Sequence, residues 1–242
     1  MIDINKLSPQ KIDCLAFGAH PDDVEASCGG LLIKLNKLGF KTGTIDLTDG
    51  GLGTNGTVEI RAEEAKKGSE IMGDQFRLNV GIPEAEIVDD IETRKLIVHL
   101  IRLFQPDMLL LPHLLDRHPD HIDTSRVVTS SVFFSGLGKF LPEVEKYRPK
   151  WVMSYALHQE FDPSFIVDIS NEYEQKVKAL LAHESQFKGE NKSYISTGTF
   201  LDYWEARAKR FGYMIGTKYG EPYKVNGTVG INNPFDLLIK DY

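Results

Sequence analysis

Two short segments of the 242-residue sequence gather the groups from which a hydrolytic metal centre is built. The first, His20-Pro21-Asp22-Asp23-Val24-Glu25, places an imidazole and two adjacent carboxylates within one turn of chain. The second runs from His113 to His121, and three of the chain's seven histidines fall within it. Two imidazoles and one carboxylate, with positions left open, describe a catalytic metal site; a structural zinc takes four ligands, usually with thiolates. On this reasoning His20, Asp23 and His121 are the candidate ligands, and Asp22, His118 and Asp120 remain for chemistry and support. Taken separately the segments read differently. Asp22 and Asp23 would serve as ordinary helix caps, and His118 and His121 as loop histidines. Cys28, in the helix that follows the first segment, reads as a small buried hydrophobe.

The elements that must carry these residues decide between the readings. An apolar run from Cys14 to Ala19 reads as a strand ending at His20, followed by a helix through Leu38 that Gly39 closes. Strand signals recur at Thr42–Leu47, Phe76–Val80, Asp107–Leu111, Trp151–Leu157 and Ser164–Ile169. Between and after them lie helical patterns at Val58–Met72, Glu92–Phe104, Asp123–Phe134, Glu172–His183 and Phe200–Phe211. Strands alternating with helices of 10–15 residues imply parallel βαβ units. The expected fold is α/β, a Rossmann-like doubly wound, mostly parallel sheet with helices on both faces, forming one domain over residues 1–242. Phe187–Thr199 is expected as a long polar loop and the tail from Tyr213 as an irregular wrap. In a sheet ordered 3-2-1-4-5, strands one and four are neighbours at the switch point, where ligands bind. Both His/Asp clusters hang from the carboxyl ends of those strands and so should face each other. The Gly-rich stretch Asp49–Gly56 follows the second strand, not the first, and is no dinucleotide fingerprint. It reads as a mobile loop or as a rim over a substrate.

Composition narrows the partners. Lys+Arg 28 against Asp+Glu 35 gives a net charge of −7, with a pI near 5.5. Such a balance argues against a nucleic-acid or anionic-membrane surface, both of which want clustered Lys and Arg. Two cysteines cannot build a disulfide framework, and the N-terminus lacks the apolar core of a signal peptide. A cytoplasmic protein is the expectation, with no membrane span.

With both segments in view, Ala19-His-Pro-Asp-Asp-Val-Glu25 and Arg117-His-Pro-Asp-His121 resemble the LmbE/PIG-L-like zinc-dependent deacetylases of N-acetylglucosaminyl compounds. More narrowly, the chain resembles the bacillithiol-biosynthesis branch, whose substrate is N-acetylglucosaminyl-malate. The likeness continues through Ile60-Arg-Ala-Glu-Glu, Val167-Asp-Ile-Ser170, Glu184-Ser-Gln-Phe187 and Tyr219-Gly-Glu, from about Ile12 to Asp236.

The resemblance implies one Zn2+ per chain on His20, Asp23 and His121, with Asp22 as general base. It implies His118 as partner acid or oxyanion stabiliser, oriented by Asp120. Arg61 and Arg148 match positions that line the site in relatives; with Arg117 they are the candidates to hold a malyl group, because guanidinium pairs bidentately with carboxylate. Against this stand ordinary roles: a helix pair of Arg61 with Glu64, and a loop salt bridge of Arg117 with Asp116 or Asp120. Phe200 stands where some relatives carry a tyrosine near the oxyanion, and Tyr194 or Tyr203 would have to substitute. The implied partner is a small acetylated sugar, and the implied assembly a homo-oligomer, trimer or hexamer. Other readings stay open: deacetylation of another N-acetylglucosamine-containing molecule, a non-haem Fe(II) oxygenase, whose facial triad uses the same ligand types, and a sugar-binding module without activity.

Overall fold

All five residues of the first strand, β1 (Cys14–Gly18), are buried, as expected of a strand covered on both faces. The structure is a computed structural model and describes residue 2 and residues 4–188, 191, 193, 197, 199–225, 227–230 and 232–234. Around β1 lie β2 (Thr42–Thr48), β3 (Phe76–Ile82), β4 (Met108–Pro112) and β5 (Trp151–Tyr155), all parallel. Two further strands, β6 (Phe165–Asp168) and β7 (Gly220–Val225), complete a mixed sheet of seven in the order β3-β2-β1-β4-β5-β7-β6. The fold is therefore α/β with a mostly parallel sheet, as the sequence predicts.

Alternation along β1 divides the core. Leu15 and Phe17 pack with Ile97, Ile101, Val127 and Val128 from α4 (Ile91–Phe104) and α5 (Pro119–Ser135). Cys14 and Ala16 face the other way, toward Leu32, Ala179 and Trp204. Those residues belong to α2 (Gly29–Lys37), α6 (Tyr173–Leu181) and α8 (Thr199–Met214). The remaining α-helices among the described residues are α1 (Asp23–Ser27), α3 (Val58–Met72) and the short α7 (Glu184–Lys188).

The structure differs from the sequence reading in four places. The first helix begins at Asp23 and breaks at Cys28, whose φ of −127 separates α1 from α2. The helix expected from Asp123, α5, begins at Pro119, because the fixed φ of proline suits the first helical position. His118 thus becomes its N-cap, and Asp120 and His121 lie in its first turn. Part of the expected polar loop, as far as Lys188, is helical; residues 189, 190, 192, 194–196 and 198 lie outside the described ones. Finally, the tail is not irregular over its first part: β7 enters the sheet antiparallel to both β5 and β6. Pro222 disguised it. The pairing with β5 uses only Tyr223–Val225, so the missing N–H of Pro222 costs no bond on that side.

Candidate active site

The neighbouring strands β1 and β4 end at Gly18 and Pro112, and the two His/Asp segments leave the sheet there, side by side. The chain turns at once after β1. Asp23 stabilises that turn itself: its Oδ2 accepts the backbone N–H groups of Ala19 (3.0 Å) and His20 (2.9 Å). The same carboxylate lies between two imidazoles, with Oδ2 3.5 Å from His20 Nδ1 and Oδ1 3.3 Å from His121 Nε2.

Each of these imidazoles has its other nitrogen on a second carboxylate. His121 Nδ1 lies 2.9 Å from Asp116 Oδ1, and His20 Nε2 lies 3.2 Å from Asp120 Oδ2. Asp116 is fixed in turn by the backbone N–H groups of His118 and His158, and Asp120 by that of Ala85. An imidazole held by a carboxylate on one nitrogen and free to coordinate with the other is the usual outer arrangement of a metal-ligating histidine. His118 is the third imidazole: one ligand atom from each of His20, His118 and His121 lies within 4.8 Å of the others. This donor set of nitrogen and carboxylate oxygen, without thiolate, fits a divalent cation. The two cysteines are buried and free.

The electrostatics point the same way. Burial disfavours a charged His20, yet hydrogen bonds with Asp120 and Asp23 outweigh it and push its pKa up to about 10. His121 rises to about 9 against burial, through Asp23 and Asp116. Asp23 falls well below the carboxylate range, its burial outweighed by His121 and His20. The site thus carries carboxylate potential that attracts positive charge. His118 moves the other way: burial, then His20 and His121, lower its pKa.

The backbone N–H of Asp120 donates to His118 Nδ1 at 3.2 Å, so the neutral ring carries its proton on Nε2. The support expected for His118 therefore comes from the backbone of Asp120, while the Asp120 carboxylate is turned to His20. Asp22 occupies the N-cap of α1 with φ 112, a left-handed conformation rare outside glycine, and caps nothing with its side chain. Its pKa is raised by burial, against the attraction of Arg61.

Asp22, Asp23, His20, His118 and His121 line one cavity of about 290 Å³. Its wall is apolar where Leu157, Leu180, Phe187, Phe200 and Trp204 meet. The Asp49–Gly56 stretch forms part of its rim and is tied down: Asn55 exchanges hydrogen bonds with the backbone of Asn191, and Gln186 Nε2 donates to Asn55 O.

The three arginines part company. Arg61 lines the cavity but is 4% exposed; it donates to Gly50 O (2.7 Å) and Pro21 O (2.8 Å) and does not pair with Glu64. Glu64 instead accepts from Ser185. Arg117 is exposed at the cavity wall. Arg148 is absent from the site: it donates to Phe133 O and stacks on the Phe133 ring. It precedes β5, hence lies at the amino ends of the parallel strands, opposite the site. Phe200 is part of the wall, whereas Tyr203 is not; Tyr194 lies outside the described residues.

Three residues joined the site without an assignment from sequence. Asp116 stands in the second segment, where the sequence suggests only a salt bridge with Arg117. His158 follows the carboxyl end of β5, where position alone is the signal, and its ring stacks on His121 at 5.4 Å. Glu84 follows β3 and brings Oε1 to 3.7 Å from His20 Nε2; no spacing marks it.

Comparison with known proteins places this geometry in context. The family model described as "PIG-L: GlcNAc-PI de-N-acetylase" matches residues 15–132. Diacetylchitobiose deacetylase of Thermococcus kodakarensis is 30% identical over 223 residues, covering 86% of this chain and 80% of that protein. Among solved structures, a conserved protein of Thermus thermophilus superposes with a TM-score of 0.84 at 34% identity, over 91% of this chain and 97% of its own. N,N'-diacetylchitobiose deacetylase of Pyrococcus horikoshii gives 0.80 at 27% identity, over 88% and 83%.

Proposed function

From the premise that this chain belongs to the PIG-L family of de-N-acetylases and is an amide hydrolase, we propose that it deacetylates a small N-acetylglucosamine-containing saccharide. The observation that carries this reading is the position of Asp23 between His20 and His121, with Asp22 and His118 on the same cavity. His20, Asp23 and His121 would hold the metal, which we take to be zinc. When bound, such an ion acidifies water and acts as a Lewis acid on the amide carbonyl.

The chain's own residues supply the proton traffic. Asp22, its basicity raised by burial, takes the proton of the attacking water. His118, neutral with its proton on Nε2, donates a hydrogen bond to the oxygen on which charge develops, and the proton taken up by Asp22 passes to the departing nitrogen. The products are a free amine and acetate. The apolar wall of Leu157, Phe200 and Trp204 keeps competing water from the acyl group. Oxygen activation by a facial triad needs neither Asp22 nor His118 as an acid–base pair.

The identity of the sugar's other half turns on the arginines. A malyl group presents two carboxylates. Of the three guanidinium groups considered for it, Arg148 is remote and Arg61 is committed to backbone carbonyls, leaving Arg117. This distribution favours a neutral acetylated oligosaccharide of the diacetylchitobiose type over N-acetylglucosaminyl-malate. Among the described residues no helix is long and apolar enough to cross a membrane. We place the reaction in the cytoplasm, a reducing compartment in which two free cysteines are ordinary.

The test is acetate release from diacetylchitobiose, N-acetylglucosaminyl-malate and N-acetylglucosamine by the zinc-loaded protein. Diacetylchitobiose is expected to lead the malate by about tenfold or more in kcat/KM, about 1.4 kcal/mol of discrimination. A tenfold preference for the malate would overturn the substrate reading; no acetate from any of the three would overturn the function.

A further inference from the structure

Directly behind the Asp22–Asp23 turn lies a charged cluster that the hydrolysis does not use. Glu25, fully buried on α1, accepts at Oε1 from Arg77 Nη1 and from His183 Nε2, the latter at 2.9 Å. Arg77 on β3 is anchored in turn by both oxygens of Asp46. His183 is itself fully buried and sits between α6 and α7. Gly68 on α3 leaves the room that the Glu25 carboxylate fills: a Cβ there would collide with Oε1.

Stability does not account for this cluster. Breaking even a well-formed buried pair is costly, but an apolar replacement of the whole is often neutral or better. Here Glu25 Oε2 and His183 Nδ1 have no hydrogen-bond partner among the described residues. Unsatisfied buried groups of this kind call for a reason outside packing.

The neighbouring backbone supplies one. Asp22 sits in a left-handed conformation that is unfavourable for a non-glycine residue and persists only when its surroundings hold it. Asp23 needs no outside help, because the N–H groups of its own turn fix its carboxylate. Among the described residues the Asp22 carboxylate has no such bond and pairs with Arg61 Nη2 at 3.6 Å. The helix it heads is tied to Arg77 and His183 through Glu25, three residues on. His183 also ties that helix to the cavity rim, since Ser185 bonds Glu64 and Gln186 bonds Asn55.

We propose that His183 is a positioning residue for Asp22: through its bond to Glu25 it fixes the α1 turn from which Asp22 faces the cavity and couples that turn to the rim. The proposal rests on the reading of Asp22 as the proton acceptor in hydrolysis.

The experiment compares zinc-loaded wild type, His183→Leu and His183→Gln. The glutamine keeps an N–H donor of similar reach; the leucine does not. For His183→Leu, kcat on diacetylchitobiose is expected to fall about ten- to a hundredfold with KM and zinc content little changed, and His183→Gln to recover most of the loss. Hydrogen–deuterium exchange, which needs no turnover, should show faster exchange at residues 22–28 and 49–56 in His183→Leu and wild-type rates in His183→Gln. Wild-type kcat in His183→Leu overturns the proposal, as does a loss that follows zinc content or is not rescued by glutamine. A wild type that releases no acetate defeats the functional reading instead. The exchange data then decide on the clamp, and unchanged exchange at residues 22–28 defeats it. Should His183→Leu fail to fold, His183→Asn, whose shorter amide does not reach Glu25, takes its place under the same criteria.

Discussion

His20 Nε2 and the carboxylate of Asp120 lie 3.2 Å apart, although a hundred residues separate them in the chain. This bond joins the two sequence segments and gives the Asp120 carboxylate a different partner from the one expected. Its oxygen serves a candidate metal ligand, and only its backbone N–H serves His118.

Removing that carboxylate should therefore weaken metal binding. Asp120→Asn is expected to lower zinc affinity about 10–100-fold, the usual effect of losing an outer partner of a ligating histidine. Competition against a chelator measures it. Unchanged affinity with reduced kcat would return Asp120 to His118.

Asp22→Ala tests the proton acceptor. Because the Asp22 side chain caps nothing in the turn that carries the candidate ligands, zinc content should be retained while acetate release falls by about 10²–10⁴. Turnover within a few-fold of wild type would refute its role.

The arginines should separate cleanly. Arg148→Ala should leave kcat/KM unchanged, since its partners are the Phe133 ring and carbonyl. Arg61→Lys should lower kcat and stability together, because a single ammonium cannot span Gly50 O and Pro21 O as the guanidinium fork does. The stability loss is expected to be about 1–3 kcal/mol, the cost of a buried carbonyl left unpaired. A pure KM effect on anionic substrates alone would instead mark Arg61 as a substrate ligand.

Asp74 predicts a pH dependence away from the site. Burial raises its pKa to about 6, against the hydroxyls of Thr42 and Thr44 and the charge of Arg77. A carboxyl whose folded pKa lies above its unfolded value of 3.8 contributes stability that is present below pH 3.8 and lost as pH rises through about 6. Asp74→Asn should remove this component, flattening the stability curve between about pH 4 and 7 by on the order of 1–3 kcal/mol. Denaturant midpoints of the two proteins across that range measure it, and parallel curves would refute it.

Glu221 predicts how much the unexpected strand matters. From β7 its oxygens cap the first N–H groups of α2, at Gly30 (2.9 Å) and Leu31 (2.8 Å), and pair with Lys176 at 2.6 Å. Glu221→Ala leaves Lys176 and two helix amides without that partner and should cost about 3–5 kcal/mol in an unfolding titration. A loss below about 1 kcal/mol, the size of an exposed ion pair, would show that β7 is held by packing alone.

The fold class and the first approximation to the site were legible in the linear chain because both rest on local signals. Apolar runs such as Cys14–Gly18, bounded by turn residues and separated by helical patterns, specify buried parallel strands whatever lies around them. The two His/Asp segments follow such strands, and topology alone brings the ends of β1 and β4 together. What the sequence could not decide is which partner each polar group takes. Glu84 and His158 come from separate loops and meet His20 and His121 only across space, and Asp116, five residues before His121, takes that imidazole as its partner and not a neighbouring arginine. Arg61 and Arg148 look alike on paper, yet one is buried at the carboxyl ends of the strands and the other lies at the amino ends. β7 is not legible in the sequence because Pro222 weakens a strand signal that pairing with β5 and β6 restores. A side chain's type and spacing set the chemistry it can perform. Which charge, carbonyl or ring it meets is set by contacts between distant segments, and those exist only once the chain has folded.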